Sequence, residues 1–206
     1  MKERPIIFSG PMVRALLDGS KTQTRRVMKP QLVYGTVAGL FNSWYLPSGQ
    51  GGGTLYPNGK EKILGTCPYG QPGDRLWVRE SFCKIIGQSG GWIETDYQAT
   101  YTHGFRLGDS LGLKKRWTPS IHMPRAASRI TLEITSVRVE RLQDISEADA
   151  LAEGVTDDGS LVTDLAGNDR GGAFAAFATL WEVINGVGSW DDNPWVWVVS
   201  FKRAFP

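Results

Sequence analysis

Gly19-Ser20-Lys21-Thr22-Gln23-Thr24-Arg25-Arg26 is the stretch on which the reading of the fold turns. It sets an amine, hydroxyls and two guanidinium groups directly behind a helix stop. A lysine beside a hydroxyl can make a nucleophile, and adjacent arginines can hold an anion. Upstream, residues 4–8 predict a short strand. Ser9 can cap a helix, Pro11 suits its first turn, and Met12, Val13, Leu16 and Leu17 form one apolar stripe. Gly19 ends that helix as the residue after its C-cap. Lys21 to Arg26 then follow on an irregular segment.

Downstream, Pro72-Gly73-Asp74 is a turn into a strand over residues 75–81. Side chains alternate along a strand, so Leu76, Val78 and Glu80 share one face. An inward carboxylate such as Glu80 needs a partner or a function. Residues 97–101 predict a further strand. Residues 128–142 predict a long one whose apolar phase changes between Ile134 and Val137. A bulge near Thr135-Ser136 reconciles the two phases, as in a curled sheet or barrel. Ser146 starts a short helix that stops at Gly154. Phe174, Phe177, Leu180, Trp181 and Ile184 mark a longer helix that Gly186 ends. Residues 195–202 are apolar on both faces, which predicts a central strand.

Residues 31–66 are rich in Gly, Pro, Tyr and Asn and predict an insertion of hairpins and loops, with Gly51-Gly52-Gly53 mobile. Trp44, Tyr45, Tyr56 and Tyr69, in or beside it, can stack on bases or pack as a local core. Strands outnumber helices and do not alternate with them. The expected class is α+β, one domain over residues 1–206 with a barrel-like core and a few packed helices.

The chain has 206 residues and a net charge of +2, with 25 glycines and eight tryptophans. No apolar run approaches a membrane span, and the N-terminus lacks a signal-peptide core. Cys67 and Cys83 form no disulfide or metal pattern, which suits free thiols in a reducing cytoplasm. There is no phosphate-binding glycine loop and no metal-ligand cluster, so neither a nucleotide cofactor nor a metal is expected.

Charge is uneven. Residues 1–30 carry Lys2, Arg4, Arg14, Lys21, Arg25, Arg26 and Lys29 against Glu3 and Asp18. Residues 103–129 carry Arg106, Lys114, Lys115, Arg116, Arg125 and Arg129 against Asp109. Residues 140–170 are acidic. If the basic segments converge they make a face for phosphate; otherwise they are solvated charges.

Lys21 and Thr24 are three residues apart and can point the same way on one turn or tight loop. A threonine hydroxyl attacks only if a base takes its proton. Lys21 can be that base if burial or its arginine neighbours lower its pKa. Glu80 can protonate a leaving group. The same residues also suit a basic, anion-binding loop with Thr24 as a backbone cap. His122 is a hydrogen-bond partner or proton carrier, or else merely exposed; His103 is read as structural or exposed. Arg125 and Arg129 either bind phosphate or pair with the acidic segment.

Gly19, Lys21, Thr24 and Arg26 fit the Gly-x-Lys-x-x-Thr-x-Arg signature of the ASCH family, a PUA-like β-barrel superfamily tied to RNA. The Pro-Gly-Asp-x-Leu-x-Val-x-Glu segment at residues 72–80 is similar to its second recurring element. Most of the chain outside residues 31–66 and 87–112 resembles ASCH proteins common in phages and prophages. The resemblance implies a curled mixed β-barrel. One bacterial branch hydrolyses the acetyl amide of N4-acetylcytidine with a lysine proton acceptor, a threonine nucleophile and a glutamate proton donor. Those roles fall on Lys21, Thr24 and Glu80, with Arg25, Arg26, His122, Arg125 and Arg129 as substrate-binding candidates. This chain is about twice as long as that branch. Other members are proposed to bind or cleave RNA, so a non-catalytic RNA-binding module and a metal-independent ribonuclease stay open.

Overall fold

Strand β1 (Glu3–Ile7) leads into helix α1 (Gly10–Asp18), as the N-terminal pattern predicts. The computed structural model describes residues 1–37, 40–48, 52–86, 89–112, 116–156, 161–163 and 169–204. Gly51, Lys114, Lys115 and the acids at 157, 158 and 164 lie outside the described residues. Helix α1 buries Val13, Ala15 and Leu16. Gly19 closes it at φ 87°, a left-handed conformation that costs glycine no Cβ clash. The residues behind this stop differ from expectation: they form strand β2 (Gln23–Val27), not an irregular segment.

Residues 31–66 hold a three-stranded meander, β3 (Val33–Val37), β4 (Phe41–Ser48) and β5 (Gly52–Tyr56), then the short helix α2 (Lys60–Leu64). Gly52 and Gly53 are not loose, since they pair with Ser48 and Pro47. A Cβ at Gly53 would collide with the Tyr45 ring and the Leu46 carbonyl, so the close strand approach requires glycine. Trp44 and Tyr56 set their rings edge-on to Trp195, with centroids 5.4 and 5.2 Å away. These insertion aromatics are packed against the main core, as is Tyr69.

Strand β6 (Arg75–Arg79) follows, then the hairpin of β7 (Phe82–Ile86) and β8 (Trp92–Tyr97). The strand expected at 97–101 ends at Tyr97. There the Gln98 amide bonds the Ser81 carbonyl and the chain turns into a 3-10 turn over 98–100. After the helical turn α3 (Leu107–Ser110) come β9 (Thr131–Arg141) and α4 (Glu147–Ala152). The pair β10 (Leu161–Thr163) and β11 (Asp169–Gly171) precedes α5 (Gly172–Asn185) and β12 (Trp195–Ala204).

The central sheet runs β1-β6-β9-β12-β2, with β1 parallel to β6 and the remaining neighbours antiparallel. The expected bulge is present. Ser200 pairs with Ser136 and Phe201 with Ile134, which leaves Thr135 unpaired. Strand β12 is buried on both faces for a simple reason. Trp195, Trp197, Val199 and Phe201 enter the core under α1, and Val196 and Val198 enter a second core under α4 and α5.

The fold is therefore mixed α+β, but the sheets do not close into a barrel. Strands β1 and β2 are the two edges of the central sheet. A side chain spans their seam instead of a backbone ladder: Arg26 Nη2 donates to the Ile7 carbonyl at 2.6 Å. Among the described residues, no helix is long and apolar enough to cross a membrane.

Candidate active site

Strand alternation splits the adjacent arginines. Thr24 and Arg26 lie opposite Val199 and Trp197, on the face of the main core. Arg25 lies opposite Val198, on the face under α5, where its guanidinium sits 5.8 Å from the Phe177 ring.

There Arg25 is buried, and every nitrogen of its guanidinium meets a carboxylate. Nε and Nη2 donate to Glu140 Oε1 at 3.1 and 2.5 Å, Nη2 also to Asp149 Oδ2 at 3.0 Å, and Nη1 to Glu153 Oε1 at 3.2 Å. Arg138 closes the network through Glu140 and Asp149. Burial pushes the Asp149 pKa up, but Arg138 and Arg25 outweigh it and hold the group below its usual value. Among the described residues, Glu140, Asp149 and Glu153 thus neutralise Arg25 and Arg138, while Arg125 pairs with Glu3 and Arg129 with Glu80.

Lys21 is 2% exposed. Its amide bonds the Ala15 carbonyl at 3.0 Å, and the Thr22 amide bonds the Ala152 carbonyl at 2.8 Å, which ties the segment to α1 and α4. Lys21 Nζ donates to Glu153 Oε2 at 2.7 Å and to the Glu153 carbonyl at 2.8 Å. Burial pulls its pKa below that of an ordinary lysine. Glu153 opposes this, and Arg26 and Arg25 add to it. Glu153 is delivered by a well-formed helix end. Ser146 caps α4 by accepting from the Asp149 amide, and Gly154 ends it at φ +85°.

Glu80 extends the inward face of β6, with Leu76 and Val78 buried below it. Arg129 Nε and Nη2 donate to its two oxygens at 2.9 and 3.0 Å, the parallel two-bond geometry of a strong guanidinium–carboxylate pair. The Arg129 guanidinium lies 4.0 Å from the Tyr97 ring centroid.

These elements enclose a cavity of about 580 Å³. Thr24, Arg25, Arg26 and Glu80 line it, with Ile7 and Phe8 from the other sheet edge. It therefore opens along the seam that a barrel would have closed. Lys21 does not line it; Glu153, its partner, does. Arg129 stands behind Glu80. The other two expected residues lie elsewhere. His122 is exposed in a separate open hollow with Lys84 and Arg116. Arg125 is exposed and donates from Nε to Glu3 Oε2 at 2.9 Å.

Two features of the cavity are absent from the sequence expectations. Glu153 is one acid among many in its segment, although it stands directly before a glycine helix stop. Phe177, Trp181 and Ile184 of α5, read as a core stripe, supply an apolar wall. Among the described residues, no three His, Cys, Asp or Glu side chains cluster as a metal site. Comparison with known proteins finds no matching family model, no matching curated protein and no matching solved structure.

Proposed function

We propose that the chain is an ASCH-type, PUA-like cytoplasmic protein that hydrolyses the acyl amide of a modified cytidine-type nucleoside such as N4-acetylcytidine. The observation that carries this is the placement of Thr24 and Glu80 on one cavity, with Lys21 one side chain behind. The cavity falls within the roughly 300–1,000 Å³ range of small-molecule sites. Its apolar α5 wall suits a base, and its polar groups converge from β2 and β6.

In this scheme Thr24 Oγ attacks the acyl carbonyl while Lys21 accepts its proton. The C–N bond breaks, and Glu80, whose two oxygens accept from Arg129 at rest, relays to the departing exocyclic amine the proton that Lys21 took from Thr24. Water then cleaves the threonine ester and releases the acid. Lys21 must be neutral and free of Glu153 when it acts. Its lowered pKa favours the first condition; the second requires Lys21 Nζ to leave both the Glu153 carboxylate and the Glu153 main-chain carbonyl.

The 2.7 Å bond from Lys21 to Glu153 favours a second reading, a non-catalytic RNA-binding or regulatory module in which the lysine is structural. Incubation with N4-acetylcytidine, followed by absorbance or chromatography, separates the two. Turnover that Thr24→Ala abolishes, while binding persists, supports the hydrolase. No turnover on a panel of acylated nucleosides sinks it. Cleavage of unmodified RNA that persists in chelator would instead favour the ribonuclease.

A further inference from the structure

Charge in the cavity does not balance. Its carboxylates, Glu80 and Glu153, are already neutralised: Glu80 by Arg129, and Glu153 by Lys21 and Arg25. Arg25 is spent on three acids. Arg14 and Arg26 remain, and among the described residues neither has a carboxylate partner. Arg26 gives one bond to the Ile7 carbonyl, and its Nε is buried with no partner. Arg14 gives Nη1 to the Ala99 carbonyl at 3.0 Å.

Both arginines line the cavity, and each lies near the chain that leads into α1. A Cβ built on Gly10 would lie 3.7 Å from Arg14 Nη1, and Ile7, the acceptor of Arg26, is three residues earlier. The first turn of α1 carries no acid, and the Ser9 side chain makes no capping bond. Two unneutralised guanidinium groups beside an uncapped helix start form an electropositive end in a half-enclosed site. A buried guanidinium edge without an acceptor is costly until an anion meets it.

We infer that this end of the cavity binds the phosphate of a phosphate ester, so that the substrate enters as a nucleotide rather than as a free nucleoside. The nucleoside half rests on the function proposed above; the phosphate half rests on Arg14 and Arg26 alone. The phosphate can belong to a mononucleotide or to an internal link of RNA.

Trp181 lines the cavity and is 5% exposed, so its fluorescence can report binding. Inorganic phosphate, cytidine, cytidine 5′-monophosphate and the dinucleotide cytidylyl-cytidine are titrated at fixed ionic strength. The expected result is saturable phosphate binding and at least a tenfold preference for the monophosphate or the dinucleotide over cytidine. The tighter of those two names the source of the phosphate. Arg14→Gln and Arg26→Gln should each remove the preference, while Lys202→Gln, the same charge change at an exposed site, should not. Equal affinity for cytidine and both phosphate esters overturns the inference, as does a preference that survives both arginine changes. Should Arg26→Gln fail to fold, the rim residue Arg14 decides alone. Deacylation of N4-acetylcytidine without any phosphate preference overturns this inference and leaves the hydrolase standing. Phosphate preference without deacylation leaves this subsite and removes the hydrolase.

Discussion

The Lys21 ammonium lies 2.7 Å from Glu153 Oε2 and 2.8 Å from the Glu153 carbonyl, away from water. Removing one partner of such a buried pair strands the other charge, at ~3–5 kcal/mol. Glu153→Ala should lose about that much in urea unfolding. Glu153→Gln keeps an acceptor for Lys21 but removes the charge that raises its pKa. If Lys21 is the base, the acid limb of the pH–rate profile should move to lower pH in Glu153→Gln. A limb that stays in place would show that another group titrates.

Gly154 makes this contact possible. At φ +85°, a Cβ there would lie 2.9 Å from Ala15 Cβ and 3.0 Å from Lys21 Cβ. Gly154→Ala must both strain the backbone and push Lys21 away from Glu153. The left-handed conformation alone costs ~1–2 kcal/mol. The thermal midpoint should fall, and turnover should fall more than Gly186→Ala causes. Gly186 also has positive φ, but a Cβ there meets nothing within 4 Å.

How far the sequence reaches is clear from three strands. The Leu76-Val78-Glu80 phase and the break between Ile134 and Val137 were legible because apolar residues carry the period. Strand β2 was not, because Gln23, Thr24 and Arg25 are polar and yet buried. The burial of Gln23 and Arg25 is made tolerable by residues more than a hundred positions away: Arg138 for Gln23, and Glu140, Asp149 and Glu153 for Arg25. No local pattern announces such partners. For the same reason Arg25 and Arg26 read as one anion clamp, while the strand sends them to opposite faces.

The ion network under α5 should set acid stability. The folded Asp149 pKa lies below its unfolded value, burial being outweighed by Arg138 and Arg25. Its contribution is present above the unfolded value and is lost as pH falls through the folded one. Asp149→Asn should therefore lower stability at neutral pH and flatten its decline in acid. Urea midpoints measured from neutral pH down into the acid range will show whether the two curves converge.

Trp44 distinguishes a packed insertion from a base-stacking one. Its ring meets Tyr34 at 5.4 Å and Trp195 at 5.4 Å. Trp44→Ala should cost roughly 1–3 kcal/mol through lost burial and ring pairing. Affinity for cytidine, titrated on the folded variant, should stay within twofold. A large loss of affinity at unchanged stability would return the insertion aromatics to substrate recognition.

Glu80 is gripped by two bonds from Arg129, and the grip matters more than the charge. A proton donor must stay within hydrogen-bond reach of the departing amine, and a misplacement of about 1 Å can cost roughly 100-fold. Arg129→Lys keeps the cation but cannot hold both carboxylate oxygens in one plane. It should lower kcat strongly with little change in KM, and the loss should shrink for acyl cytidines with better leaving amines, which need less help from an acid. Glu80→Gln should behave likewise but more severely. Thr24→Ser should retain measurable turnover and Thr24→Ala none. If Arg129→Lys instead raises KM alone, Glu80 holds the substrate and takes no part in proton transfer.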